Sequence, residues 1–129
     1  MTGTAAHTRI SDVRTVAVPV RDQERALEFY GGVLGFETRV DSPLPGGRWI
    51  EVAAPGGTTT IALASAQEGT ATGVDTGIRF TTADATADHA ALTGAGVDVD
   101  TDVLRFPGEP SMFSFRDRDG NRLYVVERA

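Results

Sequence analysis

Asp117 and Asp119 are the first residues whose types and spacing suggest chemistry, in the stretch Phe115-Arg116-Asp117-Arg118-Asp119-Gly120-Asn121-Arg122-Leu123-Tyr124-Val125-Val126-Glu127. Carboxylates at alternate positions resemble the opening of a calcium loop, but the glutamate that closes such a loop at its twelfth position is missing. Asp119-Gly120-Asn121 reads instead as a hairpin turn, because Asp-Gly and Gly-Asn readily supply positive φ angles. The only histidines are His7, in an N-terminal stretch without periodicity, and His89, in a helical pattern, where it reads as a partly exposed surface residue. All twelve basic residues are arginine and there is no cysteine. Thiol nucleophiles, thiolate metal sites, disulfides and lysine Schiff bases are therefore unavailable. No Ser–His–Asp set suggests itself, and no Gly-rich stretch joins a strand to a helix as a phosphate cradle would require. A metal-free acid–base pair such as Glu51 with Tyr124 is one catalytic option.

The elements that position these residues belong to one compact domain, since 129 residues suffice for a single core. A net charge of -6 and a pI near 4.8 argue against nucleic-acid or anionic-membrane partners. No apolar run approaches the roughly 20 residues of a membrane helix. Met1 to Thr8 lacks a signal-peptide pattern, so a cytoplasmic location is expected. Residues 1–11 read as a flexible tail. Val13 to Val20 alternates as a half-buried strand, Asp22 caps a helix carrying Ala26, Leu27, Phe29, Tyr30 and Val33, and Gly35 ends it. Strands are predicted at Phe36 to Asp41, Arg48 to Ala53 and Thr58 to Ala64, with turns at Pro43 to Gly47 and Pro55 to Gly57. After a polar linker (67–73) the pattern repeats. It gives a strand over Val74 to Thr82, a cap at Asp84, a helix through Leu92, and strands at Val97 to Asp100, Ser111 to Phe115 and Arg122 to Glu127.

Asp22 and Asp84, Phe29 and Ala91, Tyr30 and Leu92, and Ile61-Ala62-Leu63 and Leu123-Tyr124-Val125 share one offset of 62 residues. A constant offset through strand, helix and closing strand predicts an α+β fold of two pseudo-symmetric βαβββ modules. The modules span 12–66 and 74–128, within one domain over 12–128. The apolar strand faces (Val16, Val18, Ile61, Leu63, Ile78, Phe80, Leu123, Val125) are expected to pack under helices on the outside. The opposite faces would then line a curled, cup-shaped mixed sheet.

This layout resembles the vicinal-oxygen-chelate superfamily of glyoxalases, bleomycin-resistance proteins and extradiol dioxygenases. The match rests on Val18-Pro19-Val20-Arg21-Asp22, Phe29-Tyr30, Val33-Leu34-Gly35-Phe36, Gly96-Val97 and the closing Phe115 to Asn121 stretch, and covers essentially the whole domain. In metal-dependent members the resemblance implies ligands at four strand positions. One lies seven residues before each capping aspartate; the other two lie four residues after the closing-turn glycine and, by the repeat offset, 62 residues earlier. Here these are Thr15, Gly77, Tyr124 and Ala62, none of which is an imidazole or carboxylate. The expectation is a chain that uses no metal and no other cofactor.

Strand alternation then gives a ligand-binding set without catalytic residues: Thr15, Trp49, Glu51, Ala62, Gly77, Arg79, Phe106, Met112, Ser114 and Tyr124. Aromatic rings, a guanidinium and a thioether suit a planar or polycyclic small molecule. The resemblance implies metal-independent sequestration of an antibiotic or natural product, commonly by a homodimer. The alternatives are a lyase, isomerase or dioxygenase with a degenerate site, and a concavity that buries another protein's side chains.

Overall fold

A computed structural model describes residues 3–128. The order is β1 (Thr15–Val20), α1 (Gln23–Leu27), a π-helical continuation of α1 (Glu28–Val33), β2 (Glu37–Leu44), β3 (Gly47–Ala53) and β4 (Thr60–Ser65). The second half runs β5 (Asp75–Thr82), α2 (Ala85–Gly94), β6 (Asp98–Val99), β7 (Met112–Arg116) and β8 (Arg122–Glu127). The repeat is real at the level of single hydrogen bonds. The Asp22 carboxylate accepts from the Arg25 amide and the Asp84 carboxylate from the Ala87 amide, each satisfying an N–H that the first helical turn leaves free. β4 and β8 superimpose on the offset of 62 residues end to end.

The helix of the first module loosens halfway. Gly31 and Gly32 weaken α-helical preference, and the backbone switches to wider turns in which the Leu34 amide donates to the Phe29 carbonyl at 3.0 Å. This widened segment carries two consecutive aromatics, and both are buried, with Phe29 3% and Tyr30 0% exposed. β2 also differs from expectation, continuing through Pro43 to Leu44 where a turn was predicted. It is the outermost strand of its sheet, and a residue without an N–H is tolerated where no further strand asks for a donor. The turn shifts to Gly46, at φ +81°.

The expected cup is not formed. The strands make two separate, open four-stranded sheets, ordered β1-β4-β3-β2 and β5-β8-β7-β6. Each is mixed, because β1–β4 and β5–β8 are parallel and the remaining pairs antiparallel. β1 and β5 pair on one side only, so neither sheet closes or continues into the other. Side chains join the modules instead. Phe29 of the first module's helix lies 6.3 Å from Phe115 of β7, and Phe36 meets Phe80 of β5 edge-on at 5.3 Å. Val18, Val20, Ile50, Val52, Leu63, Phe113 and Leu123, all at 0% exposure, complete one core shared by the apolar faces of both sheets.

A buried polar clasp fixes the modules to one another. The Asp117 carboxylate accepts from the Tyr30 hydroxyl at 2.8 Å, the Asn121 amide side chain at 3.0 Å, and the Asp119 and Asn121 backbone amides. Asn121 also donates to the Pro19 carbonyl and accepts from Gly73 and Val74. Burial, followed by the Asp117 carboxylate beside it, pushes the Tyr30 hydroxyl far above the ordinary tyrosine range. Asp117 and Asp119 are thus structural acids of the hairpin; Asp119 accepts from the Arg21 amide at 3.1 Å across the modules.

Candidate functional site

On each sheet, the face turned away from the core carries the polar side chains, because strand alternation sends them opposite to the valines, leucines and phenylalanines. On the first sheet, strand pairing aligns Ala17, Ala62 and Glu51 in one row across β1, β4 and β3. On the second, the equivalent row across β5, β8 and β7 is Arg79, Tyr124 and Ser114. The four positions where metal ligands would be expected therefore hold Thr15 and Ala62 on one sheet, Gly77 and Tyr124 on the other. Among the described residues, no group of three or more His, Asp, Glu or Cys side chains is placed to hold a metal ion.

Glu51 is buried, 3% exposed, in the middle of β3. Its carboxylate accepts from the Trp49 indole N–H at 2.8 Å and from the Thr60 hydroxyl at 2.7 Å, with the Arg14 guanidinium 3.6 Å away. The indole and hydroxyl bonds, more than Arg14, hold Glu51 below the ordinary glutamate range. Thr15 donates to the Thr60 carbonyl at 3.3 Å, and Ala62, fully buried, supplies no functional group.

The second sheet repeats this plan with different residues. The Tyr124 hydroxyl donates to Asp75 at 2.8 Å, which raises the tyrosine and, with the Gly77 amide, lowers the aspartate. The Arg79 guanidinium stacks 4.4 Å from the centre of the Tyr124 ring, and Arg122 lies at 5.2 Å. Arg122 Nε donates to Ser114 Oγ at 2.9 Å, and Ser114 Oγ donates to Asp100 at 2.7 Å. Burial alone would raise Asp100, but the Ser114 bonds and Arg116 together hold it below the ordinary aspartate range. Gly77, at φ +70°, forms the irregularity that lets β5 resume its register at Arg79, a conformation a side chain disfavours. Met112 is half-buried beside this row on β7.

The ten residues expected to bind a ligand fall into two clusters and one outlier. Thr15, Trp49, Glu51 and Ala62 sit on the first sheet; Gly77, Arg79, Met112, Ser114 and Tyr124 sit on the second. Phe106 is in the loop before β7, 60% exposed. A separate groove of about 540 Å³ opens between the modules on the core side, floored by Phe36, Ile61, Phe80, Leu92, Phe115 and Val125. Of the ten, only Arg79 borders it. Sequence reasoning missed Arg122, Asp75, Asp100, Thr60 and Arg14. Alternation alone identifies Arg122, two residues before Tyr124, whereas Asp75 and Asp100 reach the site through a bulge and a loop. His89, read as a partly exposed surface residue, is half-buried; its Nε2 lies 2.6 Å from the Asp100 carbonyl and its ring meets Phe113 edge-on.

Two βαβββ modules with aromatic and polar groups on their open faces define a recognition scaffold of the glyoxalase type. Residues 12–125 match the Glyoxalase/Bleomycin resistance protein/Dioxygenase superfamily, and the chain belongs to that superfamily. It is 35% identical to TnmS3, an antibiotic binding protein from Streptomyces sp. CB03234, with a TM-score of 0.85 over 95% of this chain and 100% of that one. A superfamily member from Sphaerobacter thermophilus is 34% identical with a TM-score of 0.87, covering 94% of this chain and all of the other. The uncharacterized protein YetH of Bacillus subtilis is 30% identical over 92% of this chain and 99% of its own length. The chain is thus similar to ligand-binding and antibiotic-resistance-related proteins, and no helix among the described residues is long and apolar enough to cross a membrane.

Proposed function

We propose that this chain is a metal-independent small-molecule-binding protein. In this reading it holds an aromatic or polycyclic ligand, sequesters an antibiotic or natural product, and works as a homodimer. One observation carries it: each sheet carries, on the face turned away from the valine and leucine core, a half-buried aromatic side chain fixed by a carboxylate at 2.8 Å, Trp49 by Glu51 and Tyr124 by Asp75. A ring held in place loses little freedom when a planar ligand stacks on it, which favours binding. The likeness to TnmS3 supports the sequestration of an antibiotic. Exposed Leu44, Leu104 and Phe106, with the edge strands β1, β2, β5 and β6, support a second copy as partner.

The acid–base alternative is weaker. A catalytic pair works best with pKa values near the operating pH, whereas Glu51 is lowered and Tyr124 raised, both away from neutrality. Trp49 is the only tryptophan, so quenching of its fluorescence by a panel of aromatic natural products, in chelator-treated protein, reads binding directly. Saturable quenching at one ligand per chain is the expected result. Stoichiometric bound metal, together with lyase or dioxygenase turnover on adding Ni, Zn, Fe or Mn, would sink the proposal. Light scattering on the eluting protein tests the dimer.

A further inference from the structure

The second sheet places two cations on one ring. Arg79 and Arg122 both lie over Tyr124, at 4.4 and 5.2 Å from its centre. Arg14, Arg39, Arg48, Arg116 and Arg118 each have a carboxylate oxygen within 4.0 Å; Arg79 and Arg122 have none among the described residues. The nearby acid, Asp75, is already engaged by the Tyr124 hydroxyl at 2.8 Å and the Gly77 amide at 3.1 Å. Each guanidinium has one anchoring bond: Arg79 to the Gly77 carbonyl at 2.8 Å, Arg122 to Ser114 Oγ at 2.9 Å. A guanidinium carries five N–H donors, so both forks keep unused donors in an orientation already set by stacking and anchor. Both guanidiniums act on the Asp75 carboxylate, which offsets one of the two positive charges, and in a chain of net charge -6 the remaining local positive charge stands against the overall field.

We propose that Arg79 and Arg122, stacked on Tyr124, select the anionic group of a planar aromatic acid, a carboxylate or acidic phenolate whose ring continues the stack. This rests on the small-molecule reading above and narrows it to one charge class. Paired guanidiniums suit such an anion because the fork matches two oxygens at once, while the flat cation also lies against an aromatic plane. A cationic ligand would meet repulsion from both.

Three probes of one shape separate the possibilities: anthracene-2-carboxylate, its neutral carboxamide and 2-(aminomethyl)anthracene, titrated calorimetrically against the full chain. Wild type is expected to bind the carboxylate at least about 10-fold more tightly than the carboxamide, and the amine most weakly. The preference should shrink between about 0.02 M and 0.3 M salt, as an exposed ionic contact must. In the R79Q/R122Q double variant the carboxylate-to-carboxamide ratio should fall to about 1, and R122K should retain only part of it, because charge remains but the fork does not. Both residues are exposed, so folding should persist, as an unchanged thermal midpoint would verify. If the probes bind without a carboxylate preference, or the preference survives in R79Q/R122Q, the anion assignment is wrong while small-molecule binding stands. If none of the three binds, the anion assignment falls, and the small-molecule reading falls with it only if the panel of aromatic natural products also leaves Trp49 unquenched.

Discussion

Replacing Asn121 with alanine removes four hydrogen bonds from a side chain that has 0% solvent exposure. The Gly73 and Val74 amides lose their acceptor, the Pro19 carbonyl loses a donor at 2.8 Å, and Asp117 loses one of its donors at 3.0 Å. A buried group left unpaired costs about 1–3 kcal/mol. Gly73 is exposed and Pro19 half-buried, so water replaces part of the loss, and a total of about 3–5 kcal/mol is expected. Against a stability on the order of 5–15 kcal/mol, that is a large fraction. Urea unfolding should show the midpoint falling with an unchanged slope, and thermal unfolding a drop of roughly 10–20 °C. Asn121→Asp is the sharper comparison. It keeps the shape and the acceptor but sets a second carboxylate about where the amide now stands, 3.0 Å from Asp117. The new carboxyl would titrate above the ordinary value of about 3.9 when folded. Its penalty is therefore small below that value and complete once the pH passes its raised folded pKa, so Asn121→Asp should be much less stable at neutral pH than near pH 4, relative to wild type. A loss under about 1 kcal/mol for Asn121→Ala, or an aspartate tolerated as well as asparagine at pH 7, would refute the clasp.

Glu51 has its folded pKa below the unfolded value, so its stabilising contribution is present above about pH 4.3 and disappears as pH falls through the lower folded pKa. Trp49 emission in wild type should change in that acid window, and Glu51→Gln should abolish the transition; persistence of the same transition in Glu51→Gln would assign it elsewhere. Gly77→Ala meets no atom within 4 Å but must keep φ at +70°, so a loss of about 1–2 kcal/mol is expected from backbone conformation alone, measured by urea unfolding. A neutral or stabilising alanine would show that the bulge of β5 relaxes.

Features set within a few residues of one another were legible in the chain. Asp22 and Asp84 cap helices because a side-chain oxygen reaches the third residue's N–H without help from the rest of the fold. β8 runs from Arg122 to Glu127 as alternation and the Asp119-Gly120-Asn121 turn require. The repeat was legible because its two halves obey the same local rules. Less legible was anything that depends on what lies beside a strand. Pro43 looks like a turn residue until β2 is known to be an outer strand. Gly31-Gly32 gives no hint that the helix widens to bury Phe29 and Tyr30 together.

The candidate site divides along the same line. The resemblance, applied to the sequence, placed Thr15, Ala62, Gly77 and Tyr124 where metal-dependent members would carry ligands, since carrying those positions over needs only the capping aspartates, the turn glycine and the repeat offset. It could not say whether the two polar faces share one hollow, because that depends on how the modules pack. Phe29 and Phe36 of the first module meet Phe80 and Phe115 of the second and join the sheets through their apolar faces, leaving two open sheets in place of one cup. Tertiary structure alone decided that Asp75 holds Tyr124 and that Arg79 joins Arg122 over its ring, for a bulge and the neighbouring strand β5 bring Asp75 and Arg79 there. Side chains find partners by distance in space, and periodicity along one strand carries no information about the next.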